Sequence, residues 1–297
     1  MIKFILKRIL QMALTLLILS YIIFFAAWIV RFGSVDTEAA NGYTLLQGYF
    51  VYLRGLIFRS GDFGMFFRLG PNIYSEIAKR YALTLLLAVG GTIIAAVIGA
   101  ILGIFSAAKH NKAVDKLIIV LSLLASSLPV FFLALLMMLM FTLRLNWLPS
   151  IASTSWKGYI MPIITIGLPA VGFVSGTTRA EMLEVINQEY IWSARARGTS
   201  EGKIMIHHAF RNTLIPIVTA VGVKFGEMLA GTVIVENAFS VPGLGRFMID
   251  SITSGTLDIF TSGTCMLFLA GTFAVINIVI DLIYMAVDPR IQAKNMA

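Results

Sequence analysis

Two side chains of opposite charge stand three residues apart inside an apolar run. They are Lys224 and Glu227 in PIVTAVGVKFGEMLAGTVIV. That spacing puts both on one face of a helix. Ionised groups in an apolar helix are costly and normally face a cavity or a partner. Two readings stay open: a mutually neutralising pair buried between helices, or a polar patch on the path of a solute. Pro129, in SLPVFF, lacks an amide donor and kinks its own apolar run. It joins Lys224 and Glu227 as a candidate lining residue of such a path. Asn277 and Asp281, four apart in the last apolar run, fit a structural role better.

The chemistry of an enzyme is missing. Gly198-Thr199-Ser200-Glu201-Gly202-Lys203-Ile204 approaches a phosphate-binding loop, but it is one residue short between the glycines and ends in Ile where a magnesium-binding hydroxyl belongs. Neither H-E-x-x-H nor G-x-S-x-G occurs. No catalytic residue is read in this chain. His110, His207 and His208 are too few and too dispersed for a metal site, and the adjacent pair point apart on a helix. Cys265 is alone, so no intrachain disulfide is possible, and it reads as a small buried apolar residue.

The elements that position these residues follow from composition. The 297 residues are 58% hydrophobic and 13% charged, too little charge to cover a soluble domain of this length. The net charge of +8 does not imply nucleic-acid binding, because the cations sit between apolar runs rather than on one basic face. A bilayer span takes about 20 apolar residues. Six runs qualify: 9–30, 82–107, 117–143, 159–178, 215–235 and 262–287. The first follows Lys3, Lys7 and Arg8 but is longer than a signal-peptide core of roughly 7–15 residues, so an uncleaved first helix is expected. The predicted fold class is an all-α membrane protein of six transmembrane helices. Its parts are an N-terminal end and first helix (1–30), an extracytoplasmic loop (31–81), and a five-helix core (82–297) that includes a cytoplasmic segment at 180–214.

Orientation follows the positive-inside rule. With both termini inside, the inner segments hold Lys3, Lys7, Arg8, Lys109, Lys112, Lys116, Arg179, Arg195, Arg197, Lys203, Arg211, Arg290 and Lys294, at higher density than the outer ones. Lys79 and Arg80 fall on the outer side against the trend. Within the outer loop, 43–58 (YTLLQGYFVYLRGLIF) predicts an interfacial helix with Tyr43, Tyr49 and Tyr52 at headgroup depth, and 60–64 (SGDFG) predicts a turn. Pro162, Pro169 and Pro216 also fall in or at the ends of spans. The pairs Gly99/Gly103, Gly172/Gly176 and Gly222/Gly226 allow close helix approach.

The stretch YIWSARARGTSEGKIMIHHAFRN (190–212) concentrates charge around one glycine. Met182, Leu183, Ile186, Tyr190, Ile191 and Ala194 recur at a period of about 3.6, which predicts one amphipathic helix over 180–197. Arg195 and Arg197 followed by Gly198 suit its C-terminus. Thr199 or Ser200 suits the cap of a second helix running to about Asn212. The product is a helix–turn–helix elbow; a charged loop against lipid headgroups is the alternative.

These residues carry a resemblance. Tyr190-x-x-x-Ala194-Arg195-Ala196-Arg197-Gly198-x-Ser200-Glu201, then His208-Ala209-Phe210-Arg211-Asn212 and Ile215-Pro216, resembles the coupling loop of binding-protein-dependent ABC transporter permeases, in the dipeptide/oligopeptide/nickel branch. The stretches from Ser127 to Leu133, Val235-Glu236 with Pro242-Gly243-Leu244-Gly245-Arg246, and Asn277-x-x-x-Asp281-Leu282-x-Tyr284 with Asp288-Pro289-Arg290 agree with it. Trp192, Ser193 and Ala194 occupy the slots where the wider superfamily often has Glu-Ala-Ala, and 32–36 lacks the Pro-Gly-Asp-Pro of many relatives. The resemblance implies a subunit of a peptide importer in the bacterial cytoplasmic (inner) membrane. It implies no cofactor in this chain, ATP and magnesium on two cytoplasmic ATP-binding subunits, a second homologous permease forming a heterodimer, and an extracytoplasmic solute-binding protein. The residues from Tyr190 to Glu201 would then contact an ATPase. A nickel or metal-chelate importer, or a secondary transporter without an ATPase, are the alternatives.

Overall fold

In a bilayer core the backbone must satisfy its own hydrogen bonds, so apolar runs of this length become helices. The computed structural model describes residues 2–32, 44–58, 73–152, 155–253 and 259–287, and every regular element among them is helical. The predicted turn at 60–64, Tyr43, and the C-terminal Asp288-Pro289-Arg290 and Lys294 lie outside the described residues. In order, the helices are α1 (Ile2–Phe32), α2 (Leu45–Phe58), α3 (Ile73–Ala108), α4 (Ala113–Ser127), α5 (Val130–Met137), α6 (Ile160–Ile186), α7 (Glu189–Ala196), α8 (Glu201–Lys203), α9 (Arg211–Ala238), α10 (Leu244–Thr253) and α11 (Ile259–Val287). Five helical stretches are long and apolar enough to cross a membrane, and a sixth crossing is made if the bent pair of α4 with α5 and its continuation counts as one.

At that pair the kink expected of Pro129 within the span 117–143 becomes a full break. The two halves meet at 105°. Leu128 takes extended angles (φ −77°, ψ 127°) and Pro129 stands at the N-cap of α5. The proline ring disfavours a helical residue before it, so α4 stops at Ser127 and a new helix starts at Val130. Beyond Met137 the chain continues in wider π turns, Met138–Arg144.

The chain divides into two compact units. One comprises Met1–Thr84 and Pro242–Ile278. Its core is aromatic: Phe24, Trp28, Tyr52 and Phe260 are buried together with Leu244 and Cys265. Tyr49 and Tyr52, predicted to meet lipid headgroups, are covered by protein instead. They turn inward against α1, where the Tyr49 hydroxyl meets Ser20 Oγ at 2.9 Å and the ring of Tyr21 edge-on at 5.1 Å. The exposed face of α2 carries Leu46, Phe50 and Ile57 instead. Glu76 lies 3.4 Å from both Lys79 and Arg80, one carboxylate shared by the two cations that ran against the positive-inside trend.

The second unit comprises Leu85–Val241 and Val279–Ala297. Helix α6 is its centre, burying Met161, Ile166, Val174 and Met182. Small residues set the packing distances. A Cβ on Gly99 or Gly103 would run into Val174 or Thr178 of α6, and one on Gly172 into the Ser122 carbonyl of α4. Gly222 of α9 packs against Ile280 in the same way, whereas Gly176 faces open space.

Candidate functional site

The elbow grows out of the end of α6. Asn187 leaves the helix, with its side-chain amide donating to the Leu183 carbonyl at 2.9 Å, and Gln188 is extended. Asn competes in this way with backbone hydrogen bonding. The single helix predicted over 180–197 is thus two, α6 and the eight-residue α7, with a corner at Asn187–Gln188.

The far end of α7 closes as the glycine implied. Gly198 has φ +80°, a left-handed conformation that L residues rarely adopt. The Gly198 N–H donates to the Arg195 carbonyl at 2.9 Å and the Thr199 N–H to the Ala194 carbonyl at 3.2 Å. This 5→2 and 6→1 pair is a Schellman closure, which satisfies carbonyls the helix end would leave open. Arg195 does not sit on those carbonyls. Its Nε and Nη2 donate to the two oxygens of Glu201 at 2.7 and 3.3 Å, bridging the turn. That hydrogen bond pushes the Arg195 pKa above its ordinary value. The guanidinium also lies 5.4 Å from the Trp192 ring. Ser200 occupies the N-cap of α8 with extended angles but makes no side-chain cap bond.

The second limb is not a separate short helix. Three residues of α8 run into π turns, Ile204–Phe210, and on without a break into α9. The limbs are held by a small core of Ile191, Ala194 and Ile204. The Asn212 amide also donates to the Tyr190 hydroxyl at 2.6 Å. Of the predicted contact residues, Ala194 is buried inside this core, while Tyr190, Ala196, Arg197, Gly198, Ser200 and Glu201 are exposed and Arg195 is half-buried. Trp192 and Ile206, 61% and 59% exposed, add apolar surface that the charge pattern did not single out. A tryptophan in a polar loop was the available signal.

The intramembrane pair forms a second cluster. Lys224 Nζ donates to Glu227 Oε2 at 2.6 Å and lies 4.4 Å from the Phe173 ring centre on α6. Within the chain the pair is only partly covered: Lys224 is 19% exposed and Glu227 60%. A cavity of about 110 Å³ adjoins it. Its walls come from α5 (Val130), α6 (Ile166, Pro169, Ala170) and α9 (Lys224, Glu227, Met228, Gly231). Lys224 and Glu227 thus share one cavity, while Pro129 is not among its lining residues and only precedes Val130 in the chain.

A third cluster was not read from the sequence. Asp115, in the first turn of α4, is 1% exposed. Arg179 of α6 donates to both of its oxygens, from Nε at 2.7 Å and from Nη2 at 2.8 Å. The Ser106 hydroxyl and the Asn111 N–H (2.9 Å) also donate to it. His110 Nδ1 lies 3.1 Å from Arg179 Nη2 at the rim.

Comparison with known proteins agrees with this architecture. Residues 99–293 match the family described as binding-protein-dependent transport system inner membrane component. The glutathione transport system permease protein GsiC of Escherichia coli (strain K12) is 30% identical, covering 99% of this chain and 100% of its own length. The protein of that name from Salmonella typhimurium is 35% identical over 79% of this chain and 76% of its own. Among solved structures, the inward-facing MetNI methionine ABC transporter matches with a TM-score of 0.61 at 16% identity, covering 74% of this chain and 100% of that one. An amino acid ABC transporter matches at 0.52 and 17% identity, covering 71% and 93%. The helical fold, the apolar spans and these matches converge: the chain belongs to the binding-protein-dependent inner membrane components, the permease subunits of bacterial ABC importers.

Proposed function

We propose that this permease subunit imports peptide-like solutes, that the elbow around Gly198 receives the stroke of a cytoplasmic ATPase, and that Pro129, Lys224 and Glu227 line the solute path. ATP and magnesium belong on two partner ATP-binding subunits. A second, homologous permease completes the pathway and an extracytoplasmic binding protein delivers the solute. The peptide reading leans on the glutathione permeases that this chain resembles.

The observation that carries the proposal is the build of the elbow. A turn closed by two backbone hydrogen bonds, bridged by Arg195–Glu201 and filled by Ile191, Ala194 and Ile204 is stiff. It presents Tyr190, Trp192 and Ile206 outward. Exposed aromatic and aliphatic residues beside a cationic rim suit a protein groove better than water. A stiff lever lets ATPase closure shift the permease between inward- and outward-facing states, provided its contacts differ in the two.

The test is Gly198→Pro. Proline fixes φ near −65°, which is incompatible with +80° here. The variant is expected to insert in the membrane and to lose solute uptake by about tenfold or more, a coupling loss of more than about 1.4 kcal/mol. Wild-type uptake at matched expression overturns the coupling reading. Failure to co-purify with nucleotide-hydrolysing subunits in the wild type overturns the partner set.

A further inference from the structure

The cavity beside Lys224 and Glu227 has three walls, and they differ in how they connect to the elbow. The α6 wall reaches it through Ile186 and the corner at Asn187. The α9 wall reaches it through the unbroken helical run from Glu201. The α5 wall has no such continuity: its path leads back through Pro129 and α4 to the connection at 109–112. α5 does pack directly on α6 and α9, and α4 gives it a second, longer route to the elbow.

On that route α4 packs directly along α6, with Gly172 against the Ser122 carbonyl. A cavity of about 310 Å³ lies between them, lined by Ser122, Ser126, Gly176 and Thr177 among others. Where side chains leave space, small-residue contacts permit sliding. The Asp115–Arg179 pair does not. Its bidentate geometry fixes both distance and angle, and Ser106 and Asn111 hold the carboxylate from the other side.

We propose that Asp115 and Arg179 are positioning residues that lock α4 to α6, so that displacement entering α6 at the elbow is carried along α4 to the Pro129 bend. There it moves Val130 against Lys224 and Glu227. The lever is short: from Asp115 to Pro129 is about 20 Å of helix. The corner of 105° at Leu128–Pro129 turns that displacement toward the cavity. This inference rests on the coupling role proposed for the elbow.

The experiment uses the whole assembly in liposomes, with a labelled tripeptide as probe solute. Asp115→Asn keeps size but removes the charge that Arg179 grips and turns one of the two accepting oxygens into an NH2 that cannot accept. The assembly is expected to co-purify and to hydrolyse ATP at the wild-type basal rate, while ATP consumed per tripeptide moved rises about tenfold. A second readout needs no solute. Thiol labelling of Val130→Cys is expected to change on ATP addition in the parent and to lose that change with Asp115→Asn, whereas Gly231→Cys on the α9 wall keeps it. Uptake and hydrolysis falling in equal proportion, or a ratio and labelling pattern like the parent's, overturns the proposal.

If Asp115→Asn does not assemble, Ser106→Ala and His110→Ala loosen the clamp while leaving the ion pair. A rise of about threefold in ATP per tripeptide is expected, and an unchanged ratio overturns the clamp. Gly198→Pro uncoupled beside a fully coupled Asp115→Asn rejects the clamp and leaves the elbow reading standing. Both variants coupled rejects the elbow reading itself.

Discussion

Two ion pairs in the same unit have nearly equal lengths and opposite surroundings. Arg179–Asp115 measures 2.7 Å and its carboxylate is 1% exposed; Lys224–Glu227 measures 2.6 Å and its carboxylate is 60% exposed. Distance does not separate them. Saturation does. Asp115 receives hydrogen bonds from two side chains and one backbone amide, and Arg179 bonds it twice. Glu227 receives one donor, from a lysine that leans on an aromatic face. A saturated buried carboxylate fixes geometry. An unsaturated one at the edge of a cavity has capacity left for another partner.

The first way to break this comparison is Arg179→Met. It leaves Asp115 buried without its cation, and removing one partner of a buried pair costs about 3–5 kcal/mol. Thermal unfolding of the purified subunit in detergent is expected to drop by several degrees. An unchanged midpoint would mean that the pair adds nothing to the packing of α4 on α6.

Next in size is Glu227→Gln. Because that carboxylate is more than half exposed, stability is expected to stay within about 0.5 kcal/mol. Uptake of a peptide-like solute is expected to fall about fivefold through a raised KM, since a charged contact is lost without strain on the fold. Loss of stability with uptake intact would reverse the roles given to the two pairs.

Smaller again is Arg195→Gln in the elbow. Exposed pairs contribute about 0–1 kcal/mol, so the folded state should scarcely notice. Transport is expected to drop less than it does for Gly198→Pro, because the Schellman closure and the Ile191–Ala194–Ile204 core remain. A loss as large as the glycine variant's would move the function of this turn from its backbone to its ion pair.

Much of this was legible in the chain, and what was not has physical reasons. Apolar runs of membrane length and a glycine after two arginines are local signals, and the helices and the left-handed turn follow from them. The cavity beside Lys224 and Glu227 accords with an argument from cost, since charge in an apolar helix needs a cavity or a partner. Among the features that escaped, three have distinct causes. The corner at Asn187 arises from one side chain bonding its own backbone, which a periodicity over 180–197 averages away. The burial of Tyr49 and Tyr52 depends on α1 being there to receive them. Asp115 and Arg179 are separated by 64 positions; only the packing of α4 on α6 brings them together, and as single letters each reads as an ordinary cytoplasmic-side charge.

Gly198 carries one more consequence. Nothing approaches within 4 Å of where its β-carbon would stand, yet its φ is +80°. The turn therefore discriminates by chirality and not by volume. L-Alanine at that spot meets a backbone penalty of roughly 1 kcal/mol without any collision. Its mirror image, placed there by chemical ligation, has a matching torsional preference, and by narrowing the unfolded ensemble it should stiffen the bend beyond what the ribosome's alphabet allows.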